Sequence, residues 1–555
     1  MGGKIDGSDP VFARRRGPLA MMIDARSLPV GTKIRTAVCI VGAGPAGITI
    51  SRELSRLGIE NCLVEAGGLD FSAESQSHYL GEVEYSPYDL VTTRTRHFGG
   101  SSNCWAGWSR PFDEIDMEAR FWVPNSGWPI GLDVLKPYYP RANEALQLPD
   151  APYDLSYWAE HGQAHDAPLI QFNGSGLTNV ISQLSPPTRF GFVYRHELSR
   201  SGLSRVLLHA TASEIVTNED GTRATGVRIN TAADRTIGVE AGIVVLALGG
   251  IENARLLLLS RKARPAGLGN DHDVVGRYFM DHPRIRMGRL YLQAPRSYSR
   301  FYDVTYYYGN RRFARAGTQP AASIGFSREV QRERELLQCH IGFIGSYLFE
   351  SSPRVDSGKR LYKALTRNNT EPLALADVRS AVIGLPLSST AWLARQTRSR
   401  RLTHHFELQS VLEAAPDPDN RVTLNGDRDR FGINRVKLRW KVGEMEKRSH
   451  QTAIALLGRE VEALGIGRVE MEPEQWGDDW DRSVMTTWHH MGTTRMHQDP
   501  RKGVVDEHCR VHSVANLYIA GSSVFTTGGG NMPTINIIAL ALRLAERLKN
   551  VHIAR

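Results

Sequence analysis

The clearest pattern of apolar and polar positions lies near the start of the chain. Thr36–Val41 is a short run rich in β-branched apolar residues, which predicts a buried strand. Gly42-Ala-Gly-Pro-Ala-Gly47 follows it, then Ile48–Leu57, whose apolar recurrence predicts a helix closed by Gly58 just past its end. Cys62–Glu65 predicts the next strand, completing a βαβ unit of about 30 residues. A similar sequence recurs later: Gly242–Leu248 predicts a buried strand, Gly249-Gly250 a turn, and Glu252–Leu259 a helix. Near the end, Leu517–Ala520 predicts a strand, Gly521–Gly530 a small-residue loop, and Thr534–Leu548 an apolar helix. Between about 285 and 480, helical and strand-like pieces alternate with arginine-rich loops, and the aromatic stretch Tyr298–Phe313 predicts a half-buried strand pair. The expectation is an α/β dinucleotide-type domain built from distant segments, with a second, α+β domain carrying an antiparallel sheet inserted in it.

Composition narrows this only a little. At 555 residues the chain exceeds one ordinary core, and 41% hydrophobic with 23% charged residues excludes disordered, collagen-like and coiled-coil classes. A net charge of +9 is mild for this length, and no nucleic-acid motif accompanies it, so no nucleic-acid partner is expected. Five cysteines without a CxxC argue against a disulfide framework or a metal site and for a reducing, cytoplasmic setting. Arg14–Arg16 precede no apolar segment, so residues 1–20 are expected to be an extension rather than a secretory signal. The uncharged run Ser380–Ala394 is too short to span a membrane and ends in Arg395, Arg398, Arg400 and Arg401. A packed helix with a solvated basic end is the plainer expectation; an interfacial membrane element over 380–401 is the alternative.

Four clusters carry chemistry. Gly42-x-Gly44-x-x-Gly47 sits between strand and helix, with Glu65 ending the next strand. Such glycines permit a tight turn, close approach of a pyrophosphate, and helix–strand packing; the helix N-terminus favours the phosphates, and Glu65 suits ribose hydroxyls. His97-Phe-Gly99-Gly100-Ser-Ser-Asn-Cys-Trp105 suits a loop lying against a flat cofactor, though an ordinary turn explains it equally well. Trp488-His489-His490-Met-Gly-Thr-Thr-Arg495 places a histidine pair in a loop, where imidazole is the commonest general base near neutral pH. Gly529-Gly-Asn531-Met-Pro533-Thr534 opens the last helix with Pro533 expected at its first position, where the helix dipole favours a nearby anion.

Together with Gly249-Gly-Ile-Glu-Asn-Ala-Arg255 and Ile519-Ala-Gly-Ser-Ser-Val-Phe525, these motifs resemble the glucose–methanol–choline (GMC) flavin oxidoreductases over residues 35 to 549. The Asn-Cys-Trp and Arg110-Pro-Phe-Asp113 stretches are most similar to the pyranose-oxidase-like and bacterial sugar- or polyol-oxidising branch. The resemblance implies FAD, a two-domain fold, and oxidation of a CH–OH group to a carbonyl by hydride transfer to flavin N5. It divides the chain into an extension (1–30), an FAD-binding domain (31–110, 191–284 and 481–555), a substrate-side insertion (111–190) and a substrate domain (285–480). Implied cofactor contacts are Gly42, Gly44, Ala46, Gly47, Glu65, Gly99, Gly100, Ser101, Asn103, Cys104, Ala520, Gly521, Met532, Pro533 and Thr534.

The resemblance places the base on His489, with His490 at a variable position, pointing away. The partner position, usually Asn or His directly before Pro-Thr, holds Met532 here, with Asn531 one residue early. Asn531 is the favoured partner, Asn536 the alternative, and His490 and Asn536 are the substrate candidates. Cys104 stands where related branches carry a flavin-linked histidine; a small buried thiol beside non-covalent FAD is expected, with a thioether as the alternative. The electron acceptor, whether oxygen, a quinone or a redox protein, is left open. A lyase using FAD structurally, or a non-catalytic flavin-binding protein, are the competing classes.

Overall fold

The apolar run near the start becomes the middle of a sheet. Lys33–Val41 is flanked by Asn61–Val64 on one side and Arg235–Leu246 on the other, all parallel and buried at their C-terminal ends. The computed structural model describes residues 21–553 apart from 86–87, 162–167, 173, 175, 304–318, 348–349, 351, 367–374, 398–401 and 472–479. The extension over residues 1–20 therefore lies outside the described residues. Ser204–Leu208 and Met22–Asp24 extend the parallel row outward, and Leu517–Ile519 pairs in parallel with Arg235–Leu246, so widely separated segments complete one sheet. Ala224–Ala232 and Thr211–Thr217 add an antiparallel edge, giving eight strands. Helices Pro45–Arg56 and Thr534–Ile553 pack against each other, and Gly58 closes the first with φ +77° and the bond Ile59 N–H to Leu54 O (2.8 Å).

The second sheet is antiparallel and seven-stranded, in the order Gly467–Met471, Arg284–Leu292, Thr403–Leu412, Cys339–Tyr347, Gln319–Phe326, Leu177–Leu184 and Trp108–Ser109. A third, three-stranded sheet joins Arg421–Arg428 and Asn434–Arg439 to Gly81–Glu84. Residues 421–439 thus leave the substrate-side segment 285–480 and pack on helix Gly249–Leu259. The strand pair expected from Tyr298 onward begins as a helix, Pro295–Tyr302. Pro295 sits in its first turn, and Tyr298, Phe301 and Tyr302 recur at helical spacing, with Tyr302 stacked on Phe343 at 4.9 Å. The rest of that stretch, 304–313, lies outside the described residues. Among the described residues no helix is long and apolar enough to cross a membrane.

Candidate active site

A cavity of about 530 Å³ runs between the two large sheets. One end is lined by Gly42, Gly44, Ala46 and Glu65, the other by Trp488, His489, His490 and Asn531. The three glycines of the first motif do three different things. Gly42 has φ +107°, and a Cβ there would lie 2.5 Å from Ala247 O. A Cβ on Gly47 would lie 1.9 Å from Gly42 O, so this glycine seals helix to strand. A Cβ on Gly44 would meet only open space within 4 Å, at the N-terminus of helix Pro45–Arg56. That is the cradle a pyrophosphate requires.

Glu65 is buried in the cavity wall, where Gly67 N–H donates to Oε1 (2.8 Å) and Ala43 N–H to Oε2 (3.1 Å). Burial raises its pKa, and those backbone donors together with Arg96 oppose the rise. Each oxygen keeps acceptor capacity for ribose hydroxyls. Four residues that line the cavity also carry a polar atom buried without a partner: Thr95 Oγ1, His490 Nε2, Asn531 Oδ1 and His340 Nε2. An open glycine cradle at a helix N-terminus and an oriented carboxylate in one cavity fit FAD.

The reaction end is assembled from three distant segments. Residues 280–284 run antiparallel to 485–491, tied by Met280 N–H to Met491 O (3.1 Å) and Arg284 N–H to Met485 O (2.8 Å). Between these ties, fully buried Asp281 organises the opposite loop. Its Oδ1 accepts from His489 N–H (2.8 Å) and Thr487 Oγ1–H (2.7 Å); its Oδ2 accepts from Trp488 N–H (3.1 Å) and Tyr88 O–H (2.6 Å). This carboxylate holds Trp488 at φ +67°, a left-handed backbone that a bulky side chain rarely adopts.

His282, also fully buried, faces His489 with Nδ1 to Nδ1 at 3.0 Å, while its Nε2 lies 2.9 Å from Gly529 O. A carbonyl only accepts, so His282 carries its proton on Nε2. Burial lowers the pKa of His282, which leaves its Nδ1 as an acceptor. His489 must then donate from Nδ1, and its Nε2 keeps a free lone pair. Burial, His282 and Arg284 together hold the pKa of His489 well below the ordinary histidine range.

The other expected residues fall into three groups. Gly42, Gly44, Ala46, Glu65, Gly100, Ser101, Cys104, Gly521, His489, His490, Asn531, Met532, Pro533 and Thr534 line the cavity. Gly47, Gly99, Asn103 and Ala520 stand behind its wall: Asn103 Nδ2 bonds Phe98 O (3.0 Å) and reaches His97 Nε2 (2.7 Å), shaping the Gly99 turn. Asn536 is set apart, since its Oδ1 accepts from Phe112 N–H (3.2 Å) and Tyr139 O–H (2.8 Å) and ties helix to loop instead of facing the cavity. Asn531, in the cavity wall, donates to Pro111 O (3.0 Å), and its buried Oδ1 has no partner. His490 is among the residues lining the cavity, while its ring packs on Tyr88 and Phe279 with Nε2 buried, and burial pushes its pKa down to about 3. Pro533 precedes the helix, its carbonyl accepting from Ile537 N–H (2.9 Å), so the first helical residue is Thr534.

Cys104 lines the cavity. Its Sγ–H donates to Ser101 O (3.4 Å), and desolvation in the cavity raises its pKa, which keeps it a thiol. Sequence reasoning missed Asp281, His282 and His340. The Asp281-His282-Pro283 tripeptide carries no spacing signal, and only the fold brings it to His489.

The comparisons agree with this geometry. Two family models described as GMC oxidoreductase match residues 194–284 and 416–541, and one described as FAD binding domain matches 35–83. The large subunit of fructose dehydrogenase from Gluconobacter japonicus is 29% identical over 56% of this chain and 48% of its own, so the chain spans about half of that relative. A 2-methyl-1,2-propanediol dehydrogenase from Mycolicibacterium austroafricanum is 23% identical over 92% of this chain and 95% of its own. The fold is shared with pyridoxine 4-oxidase from Mesorbium loti, with a TM-score of 0.55 and 16% identity over 92% of this chain and 99% of that one. The chain belongs to the GMC oxidoreductase family and is an FAD-binding oxidoreductase.

Proposed function

We propose that the protein oxidises a CH–OH group of a sugar, polyol or similar alcohol to a carbonyl, with His489 as the base. The single observation that carries this reading is the Gly529–His282–His489 chain of hydrogen bonds, which leaves a lone pair on His489 Nε2 at the cavity wall. Bound FAD supplies the acceptor for the hydride that leaves the carbinol carbon. His489 Nε2 takes the hydroxyl proton, and its lowered pKa keeps the lone pair available at and below neutral pH. His282 is a positioning residue: it sets which nitrogen of His489 is free. Asn531 meets the substrate oxygen from the loop that also carries Gly529.

The opposite wall suits a hydroxylated substrate. Ser182, Ser323, His340 and Gln409 reach the cavity from four strands of the antiparallel sheet, with Gln409 opposite Gly342 and His340 opposite Val411 in register. The relatives named for fructose and for a propanediol act on compounds rich in hydroxyl groups. FAD is held non-covalently in this reading, because the Cys104 position offers a protonated thiol. Acid precipitation releases the flavin from wild type and from Cys104→Ser alike. The function is tested by anaerobic bleaching of the bound flavin across sugars, cyclitols, diols and simple alcohols. Bleaching by at least one of these is expected. Flavin that stays oxidised with all of them, while the protein converts a substrate, indicates a lyase instead.

A further inference from the structure

Between strands Cys339–Tyr347 and Thr403–Leu412 the chain leaves the seven-stranded sheet and forms helices Pro353–Thr366, Leu375–Ile383 and Leu385–Thr397. The second and third of these are inverted relative to ordinary surface helices, which turn large apolar residues inward. Here the small residues are the buried ones: Ala381, Gly384, Ala391 and Ala394. A Cβ on Gly384 would lie 2.7 Å from Arg354 Cβ, and one on Gly358 would lie 3.1 Å from Ser388 Oγ, so glycines let the helices close on each other. The large apolar side chains point outward. Leu375, Val382 and Ile383 share one stripe, and Leu385, Trp392 and Leu393 share the other, both at i, i+7, i+8 spacing. Leu375 is 89% exposed and Trp392 63%. Six of the fifteen exposed large hydrophobics among the described residues fall within these two helices. The helices pack through this small-residue side, and the basic end expected at Arg398, Arg400 and Arg401 lies outside the described residues.

The segment that carries this face is strongly basic in sequence. Residues 353–401 carry ten lysines and arginines against three acidic residues, which is +7 of the chain's +9. Two of the three acids are neutralised within the unit, Asp356 by Lys359 (2.9 Å) and Asp377 by Arg360 (2.5 Å). Exposed Arg379 lies on the same stripe as Leu375 and Val382.

We propose that this two-helix face docks on an anionic lipid bilayer. The occupant follows from the combination of features. A bilayer presents acidic headgroups to the cations and hydrocarbon to Trp392 and its aliphatic neighbours at the same time. Arginine stems lie along such a boundary with the guanidinium in the headgroup layer. A second copy of the chain opposes one segment of sequence charge +7 with another, so self-association is disfavoured. The helices have 9 and 13 residues, too short to cross, so the attachment is interfacial. This inference is independent of the proposed alcohol oxidation.

The test uses the full-length, FAD-loaded protein and vesicles of phosphatidylglycerol and phosphatidylcholine in equal parts, with pure phosphatidylcholine vesicles as the control. The expected result is co-sedimentation with the anionic vesicles, little with the neutral ones, and loss of binding as salt rises. Trp392→Glu with Leu393→Glu weakens binding about 10-fold or more, the scale of two buried apolar side chains, with flavin content and flavin reduction in solution unchanged. Replacing Arg398, Arg400 and Arg401 with Gln weakens binding and flattens its salt dependence. Absence of binding to anionic vesicles overturns the proposal, as does binding that the Trp392–Leu393 pair does not affect. A wild-type dimer that the same double substitution dissociates, without vesicle binding, assigns the face to a second copy and equally overturns it.

Discussion

The two ends of the cavity are built in opposite ways. At the nucleotide end, Gly42, Gly44, Gly47 and Glu65 lie within 24 consecutive residues, on one strand–helix–strand unit, and the backbone itself is the binding surface. At the reaction end, His489 depends on Asp281 and His282, some 207 residues earlier, and on Gly529, 40 residues later. A binding cradle needs only local geometry, because glycine and a helix N-terminus supply it. A histidine with one defined free nitrogen needs side chains from elsewhere to hold the other. The first end is therefore rigid by chain connectivity, the second by a buried hydrogen-bond network.

The largest effects separate the glycines within the nucleotide end. Gly47→Val drives its side chain into the Gly42 carbonyl, and no soluble flavoprotein is expected. Gly44→Val enters open space, so the protein folds but purifies without yellow colour. Circular dichroism and flavin absorbance distinguish the two. A yellow Gly44→Val protein breaks the assignment of this end to the pyrophosphate.

At the reaction end the next effect comes from His282. Asparagine places its amide oxygen near the former Nδ1 and still accepts from His489; glutamine reaches Gly529 and loses that acceptor. His282→Gln and His282→Ala are expected to slow flavin reduction about 10–100-fold, the usual scale for a group that orients a histidine. His282→Asn retains most of the rate. In the slow variants the acid limb of the pH–rate profile moves while KM changes little. Equal losses in all three variants reduce His282 to a packing residue.

The smallest expected effect concerns the substrate wall. His340 is buried, and burial first, with Arg110 adding to it, lowers its pKa from 6.5 to about 3. The folded state keeps it neutral, while the unfolded chain takes up a proton as pH falls through 6.5. Stability therefore drops as pH falls from about 6.5 toward 3, by up to ~1.4 kcal/mol per pH unit for this one proton. His340→Gln makes the denaturant midpoint fall less steeply over that window. An unchanged slope shows that His340 is not held neutral.

Legibility followed the same division. The βαβ unit and Glu65 were visible because strand period, helix period and turn glycines alternate within a few residues. His489 and Asn531 were visible through the resemblance and the loops that carry them. Asp281 and His282 were not, because nothing near them in sequence marks a site; their meaning comes from the antiparallel pairing of 280–284 with 485–491. Nor was the packing of the His490 ring between Tyr88 and Phe279, which come from segments some 400 and 210 residues away. Helices Leu375–Ile383 and Leu385–Thr397 show a related limit: apolar periodicity locates a stripe but does not say whether protein covers it.

The central claim is that His489 Nε2 accepts the substrate proton, and its most direct test is the anaerobic rate of flavin reduction at saturating substrate in His489→Ala and His490→Ala. The account predicts that both variants keep FAD, since Gly44 and Glu65 lie at the other end of the cavity. It predicts that His489→Ala slows reduction by about 10²–10⁴-fold, the worth of a positioned acid–base group. His490→Ala, whose ring packs between Tyr88 and Phe279, loses much less. A crippled His490→Ala beside a near-normal His489→Ala contradicts the account, and so does a pair of variants that both reduce flavin at the wild-type rate.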